Sequence, residues 1–189
     1  VIYIGATTSR DVPKIMAIAS QGSSLYIYEI SPEMIQGKKG TICSGYWELT
    51  PETGLVEGKL PVATSAYFDR MFYYAVGNKI YRADLTRSTP RSYEIYAHPD
   101  PSVRITRLKF RSQREDRWDI SGGDEVEAIP YDFVSYLGGV AEYPDGNCSM
   151  LEMKLTAAGE IDKEEGTKDL MVYEFKGFKN VVDFVYAFK

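Results

Sequence analysis

The feature that most constrains this chain is a short block: Met71-Phe72-Tyr73-Tyr74-Ala75-Val76, then Gly77-Asn78, then Lys79-Ile80-Tyr81-Arg82-Ala83-Asp84-Leu85. Two runs of strand-forming residues are joined by only two residues. Such a link demands positive φ, which glycine and asparagine supply at little steric cost, so antiparallel pairing of the two runs is close to forced. A chain built around this unit has to solve its packing problem with sheets.

The same arrangement recurs. Ile15-Met16-Ala17-Ile18-Ala19 and Leu25-Tyr26-Ile27-Tyr28-Glu29-Ile30 flank a short glycine-containing loop. Residues 136–143 lead through Pro144-Asp145-Gly146-Asn147 into Ser149-Met150-Leu151-Glu152-Met153-Lys154-Leu155. In that second run Leu151, Met153 and Leu155 share one face while Glu152 and Lys154 share the other, the period-two pattern of a half-wet strand. Residues 170–175 and 181–188 close the chain. The last run is apolar on both faces, as expected of a buried central strand.

Single strands are expected at 92–97 and 103–111, and Val1-Ile2-Tyr3-Ile4-Gly5 also reads as a strand rather than as a start followed by a leader. Helical i, i+3, i+4, i+7 spacing is not sustained anywhere; Pro32-Glu33-Met34-Ile35-Gln36 can supply one turn at most. With 15 Tyr and 8 Phe, the composition suits sheets with aromatic faces.

The expected fold is therefore all-β: a β-propeller or propeller-like repeat of antiparallel hairpins, with a β-sandwich as the alternative. Tyr26, Tyr81 and Leu151, at equivalent places in successive hairpins, are 55 and 70 residues apart. That is longer than the ~40–50 residues of common blades, so either the loops are long or some strands are hidden. Residues 1–189 would form a single all-β domain, or the C-terminal fragment of a larger propeller, since three to four blades are few for a ring. Polar loops are expected at 113–131, at 37–40 and at 156–168.

A net charge of −5 and a pI near 5.1 argue against a nucleic-acid partner, which needs uncompensated clusters of Lys and Arg. No apolar run approaches the ~18 residues of a spanning helix. Cys43 and Cys148 lack any CxxC or Cys/His spacing, so no zinc or redox motif is supported. They read as two small buried thiols, with a bridge between them as the alternative.

Chemistry-bearing residues are sparse. His98, the only histidine, lies in Ala97-His98-Pro99-Asp100-Pro101 and reads as a solvated loop residue; a general base would need a nucleophile and an orienting carboxylate beside it. Asp69, Asp84 and Asp183 are isolated acids near strand ends. They could act as a glycosidase pair only if they converged, and read better as turn aspartates. The tract 160–166 departs from the order that wraps calcium.

Arg107, Lys109 and Arg111 alternate with Leu108 and Phe110, giving a cationic face of the kind that guards sheet edges. Asn147-Cys148-Ser149 matches a glycosylation acceptor. Among Trp47, Trp118, Tyr131, Phe133 and Tyr136, the residues best suited to stack on a glycan or peptide are Trp118 and Tyr131, which flank the polar loop, together with Trp47. No catalytic residue, metal ligand or cofactor site is legible.

The 71–85 block resembles the blade hairpin of the PKD-like lipoproteins of gut Bacteroidetes. Phe175-Lys176-Gly177-Phe178-Lys179-Asn180-Val181-Val182-Asp183-Phe184-Val185-Tyr186 is similar to their terminal block, apart from Lys179, where the family tends to have glycine. The resemblance implies a secreted protein, lipid-anchored at the outer-membrane cell surface, with immunoglobulin-like domains upstream and a propeller-like C-terminal region. Such proteins accompany SusC/SusD-like importers in nutrient uptake. The implied role is a non-enzymatic accessory lipoprotein that binds a ligand or docks beside the transporter. The membrane would be met only through a lipid anchor outside this chain.

Two alternatives stay open. One is a propeller-type hydrolase or lyase acting on glycans. The other is a kelch-like protein-interaction module, suggested by Gly122-Gly123 and Gly138-Gly139 with Tyr143 and Gly146, although the kelch tryptophan after Gly146 is missing.

Overall fold

A computed structural model describes residues 3–7, 14–21, 24–30, 43–49, 62–66, 71–115 and 132–186. Every regular element among them is a strand: β1 (Tyr3–Thr7), β2 (Lys14–Gln21), β3 (Ser24–Ile30), β4 (Cys43–Leu49), β5 (Val62–Ala66), β6 (Met71–Val76), β7 (Lys79–Asp84), β8 (Ser92–Ala97), β9 (Arg104–Glu115), β10 (Asp132–Glu142), β11 (Asn147–Leu155) and β12 (Val172–Lys179). They form three four-stranded sheets, ordered β1-β2-β3-β4, β5-β6-β7-β8 and β12-β11-β10-β9. All pairings are antiparallel and join sequence neighbours, so each sheet is an up-and-down meander. We call them sheets I, II and III.

The β6–β7 hairpin forms in the expected register, with Val76 opposite Lys79 and Met71 opposite Asp84. Gly77 takes φ 62° and no positive φ occurs at Asn78, the pattern of a type II′ turn, which needs glycine at its first central position. The asparagine serves differently: its Nδ2 donates to the His98 carbonyl at 3.0 Å.

β6 is the strand buried on both faces. Phe72, Tyr74 and Val76 join Met16, Ile18, Leu25, Ile27 and Leu49 in a core between sheets I and II. Tyr73 and Ala75 join Ile105, Leu108, Leu137, Leu151 and Met153 in a second core between sheets II and III. A strand with a core on each side has no wet face, which is why its sequence shows no polar alternation. Sheet II is thus the middle layer of three.

Two strands were not anticipated. β4 and β5 carry small and polar residues, Ser44-Gly45 and Ala63-Thr64-Ser65, and both lie at sheet edges. They complete sheets I and II, and both fall in the 55-residue interval between Tyr26 and Tyr81. The 113–131 loop begins later than expected, because β9 runs to Glu115; its remainder, like 32–36 and 37–40, lies outside the described residues.

The closing run corrects the sequence reading. Residues 181–186 form no strand, and Val182 and Val185 are 74 % and 78 % exposed. Asn180, in the left-handed region at φ 51°, turns the chain out of β12 and across the outer face of sheet III. There Phe184 and Tyr186 lie on Gly138, close enough that a Cβ would collide with the Phe184 ring and the Tyr186 hydroxyl. The tail covers the sheet through side chains instead of extending its ladder.

Candidate functional site

A groove of about 510 Å³ opens where sheet II meets the connection between β11 and β12. That volume is within the ~300–1,000 Å³ typical of ligand sites. One side comes from β7 and β8, with Arg82, Asp84, Tyr93 and Ile95, extended by Arg87 and Arg91 from the turn between them. Glu160, Ile161, Lys163 and Leu170 of residues 156–171 form the other.

The far wall is held by contacts remote in sequence. The connection folds on itself through isolated bridges, Leu155 to Ile161 and Lys163 to Leu170. Its first turn, closed by Gly159 N–H to Thr156 O at 2.9 Å, docks on sheet II. The buried Tyr73 hydroxyl donates to Gly159 O at 2.9 Å. The Arg82 guanidinium donates to Ala158 O and lies 3.6 Å from a Glu160 oxygen. Gly159 has φ +75°, and a Cβ there would meet the Tyr73 oxygen at 2.6 Å, so glycine is required twice over.

The groove's charges are unequally engaged. Each lining acid has a cation: Glu160 has Arg82, Asp84 has Arg87 at 3.7 Å and Glu94 has Lys79 at 2.7 Å. Burial would raise the Asp84 carboxyl, but hydrogen bonds from the Thr86 side chain and backbone, with Arg87 and Arg82 nearby, hold it below its ordinary value. Arg91 and Lys163, both exposed, form no ion pair among the described residues. Tyr93 is 46 % exposed, and the Arg82 guanidinium sits 5.8 Å from its ring centre.

A second polar centre gathers around Glu174 on β12. Ser149, fully buried on β11, donates to Glu174 Oε1 at 2.6 Å, and the Tyr143 hydroxyl donates to the same oxygen at 2.7 Å. His98 Nε2 lies 3.7 Å from it. Burial acts to raise the Glu174 carboxyl, but the Ser149 and Tyr143 hydrogen bonds, with Lys176 and His98, hold it below the ordinary range. Burial and the Glu174 charge push the neighbouring Tyr96 hydroxyl up to about 12.

His98 therefore differs from the solvated loop residue read from the sequence: it is 5 % exposed. Its backbone N–H donates to Asn78 O at 2.9 Å, which draws the loop inward, and its ring packs edge-on to Tyr96 and Tyr143. Asp100 N–H donates to Nδ1 at 3.1 Å, so a neutral ring carries its proton on Nε2, toward Glu174. A serine, a carboxylate and a histidine do meet here, in the wrong order for nucleophilic catalysis. The carboxylate stands between the other two, whereas an activated serine needs the imidazole beside it. The cluster ties the 98–102 loop, the turn after β10, β11 and β12 together.

Of the aromatic candidates, Trp118 and Tyr131 lie outside the described residues. Trp47 is half-buried on β4 and packs against the core between sheets I and II, its ring over Gly45. Asp69 is outside the described residues. Asp84 and Asp183 are tied down locally: Asp183 accepts from Lys109 at 3.0 Å, and this bond and the Phe184 N–H hold its carboxyl low.

The cationic row is not bare. Lys109 also stands 5.4 Å from the centre of the Phe184 ring, and Arg111 lies between Tyr136 and Tyr186, at 4.4 and 4.7 Å. Cys148 is a buried free thiol. In the glycosylation match, Ser149 is inaccessible and the Asn147 amide donates to Asp145. The groove had no local signature, since its closing contacts span 76 and 86 residues. No protein family, curated protein or solved structure matches the chain.

Proposed function

We propose that this chain is a run of consecutive blades of a propeller-like domain, in a lipid-anchored accessory protein of the cell surface that binds a ligand without transforming it. One observation carries this reading: three four-stranded meanders follow one another in sequence, and the middle one is buried on both faces. Tandem antiparallel sheets stacked face to face are how propeller blades pack. A two-layer sandwich would have a single core between sheets, and here there are two.

The surface setting and the partnership with a SusC/SusD-like importer rest on the resemblance of residues 71–85 and 175–186. The ligand-binding part rests on the groove, which joins an exposed aromatic ring to fixed and free cations on a rigid β scaffold. Native purification from the source membrane, with identification of co-purifying subunits, tests the partnership, and recovery of a transporter is the expected result. A free monomer that cleaves members of a glycan panel would overturn the reading.

A further inference from the structure

We infer that the groove between β7–β8 and residues 156–171 takes an acidic saccharide, a sugar chain with carboxylates spaced among many hydroxyls. This rests on the ligand-binding part of the reading above and adds the class of ligand and the residues that select it.

Charge density selects the ligand. The three lining carboxylates each have a cation, and Arg91 and Lys163 remain exposed without an ion pair among the described residues. The groove therefore favours negative charge, but sparsely. A dense polyanion, such as an oligoglutamate or a nucleic acid, would bring several charges against Asp84, Glu94 and Glu160 at once and be repelled. A neutral sugar would leave the two free cations unused. An acidic sugar offers one carboxylate for a cation and hydroxyl donors for the acids, whose oxygens accept hydrogen bonds in addition to their ion pairs.

The apolar surfaces fit the same ligand. Tyr93, 46 % exposed on one wall, and Leu170, 39 % exposed on the other, present flat and aliphatic faces suited to the C–H faces of a pyranose ring. Arg82, its side chain 13 % exposed and fixed by Ala158 O and Glu160, stands 5.8 Å from the centre of the Tyr93 ring and steadies it, so little freedom is lost on binding.

Isothermal titration of the intact chain tests this with three probes: a hyaluronan tetrasaccharide, whose carboxylates stand on alternate sugars, neutral cellotetraose and tetraglutamate. The hyaluronan tetrasaccharide is expected to bind, and to weaken as salt rises from 50 to 200 mM. R91A/K163A is expected to reduce its affinity about 5–10-fold, two exposed charge contacts at a few-fold each, and Y93A to reduce it with a smaller change in salt dependence. All three positions are exposed, and an unchanged thermal unfolding curve confirms intact variants.

Equal binding of cellotetraose, lost in Y93A, would overturn the acidic assignment and leave the groove as a ligand site. Tighter binding of tetraglutamate would overturn the saccharide assignment. Binding of the hyaluronan tetrasaccharide that both variants leave unchanged, or no binding of any probe, would overturn the inference outright, while co-purification from the membrane still decides the accessory role by itself.

Discussion

Tyr73 and Gly159 are one of the pairs that hold the groove's far wall, and a double-mutant cycle can weigh their share. In Gly159→Ala the new Cβ sits on a backbone at φ +75°, a left-handed conformation that costs an L side chain about 1–2 kcal/mol. It also meets the Tyr73 oxygen at 2.6 Å, so the buried hydrogen bond to Gly159 O has to break, at about 1 kcal/mol more. The single change should cost ~2–3 kcal/mol. Tyr73→Phe removes the same hydroxyl and leaves the buried Gly159 carbonyl without that donor, for about 1–2 kcal/mol.

The two costs should not add. With phenylalanine at 73 the colliding oxygen is gone, and the remaining neighbours of the added Cβ, Met71 Cγ at 3.4 Å and Arg82 Cδ at 3.6 Å, are ordinary contacts. The hydrogen bond can also be lost only once. The double variant should therefore be less destabilised than the sum of the singles by about 1 kcal/mol. Urea unfolding followed by far-UV circular dichroism measures all four proteins. Hydrogen exchange at the Gly159 and Asp162 amides, bonded to Thr156 O and Lys154 O, should quicken in each single variant. Additivity within about 0.3 kcal/mol, with unchanged exchange at those amides, would refute the account of how the wall is held.

Three further outcomes follow from the packing. Glu174 is held below its ordinary value of 4.5, so its stabilising contribution is complete above that pH and is lost as pH falls through the folded value; the parent's urea midpoint should fall more steeply below pH 4.5 than that of E174Q, and equal slopes would remove Glu174 as a source of acid sensitivity. Gly138→Val should drive Phe184 and Tyr186 off sheet III, speeding chymotryptic cleavage after Phe184 while global stability changes by less than about 2 kcal/mol; an unaltered cleavage rate would mean the tail does not rest there. Cys148, 3 % exposed, should resist maleimide until urea unfolds the chain, as mass mapping of the labelled peptide would show.

How much of this was legible depended on the range of the determining contact. The β6–β7 hairpin could be read because Gly77 and its two-residue link are local, and local backbone geometry dictates pairing. β4 and β5 could not, because edge strands need bury only part of one face and so tolerate Ser, Thr, Ala and Gly. His98 looked solvated because its Pro-Asp-Pro surroundings signal a loop. What buries it are Tyr96 of sheet II and, from sheet III, Glu174 and the Tyr143 that follows β10, brought together where the two sheets meet and invisible to spacing. The groove is the extreme case: Arg82 and Tyr73 read as ordinary strand residues until a turn more than 70 residues downstream docks on them.

The closing segment shows why a period-two apolar pattern is not by itself a strand. Phe184 and Tyr186 alternate with the exposed Val185, as strand residues would, yet the segment joins no ladder. Its anchors are an ion pair from Asp183 to Lys109 and rings set against Lys109 and Arg111. Those cations stood out in the sequence as a face that keeps other sheets away, and here they hold a cover of the chain's own. At the far end of the stack, the rings of Tyr26 and Tyr28 gather around Tyr46, which is 53 % exposed. The two ends are therefore finished differently: a further sheet would meet open tyrosine rings on sheet I, but on sheet III it would first have to displace Phe184 and Tyr186 and leave Lys109 without its acid.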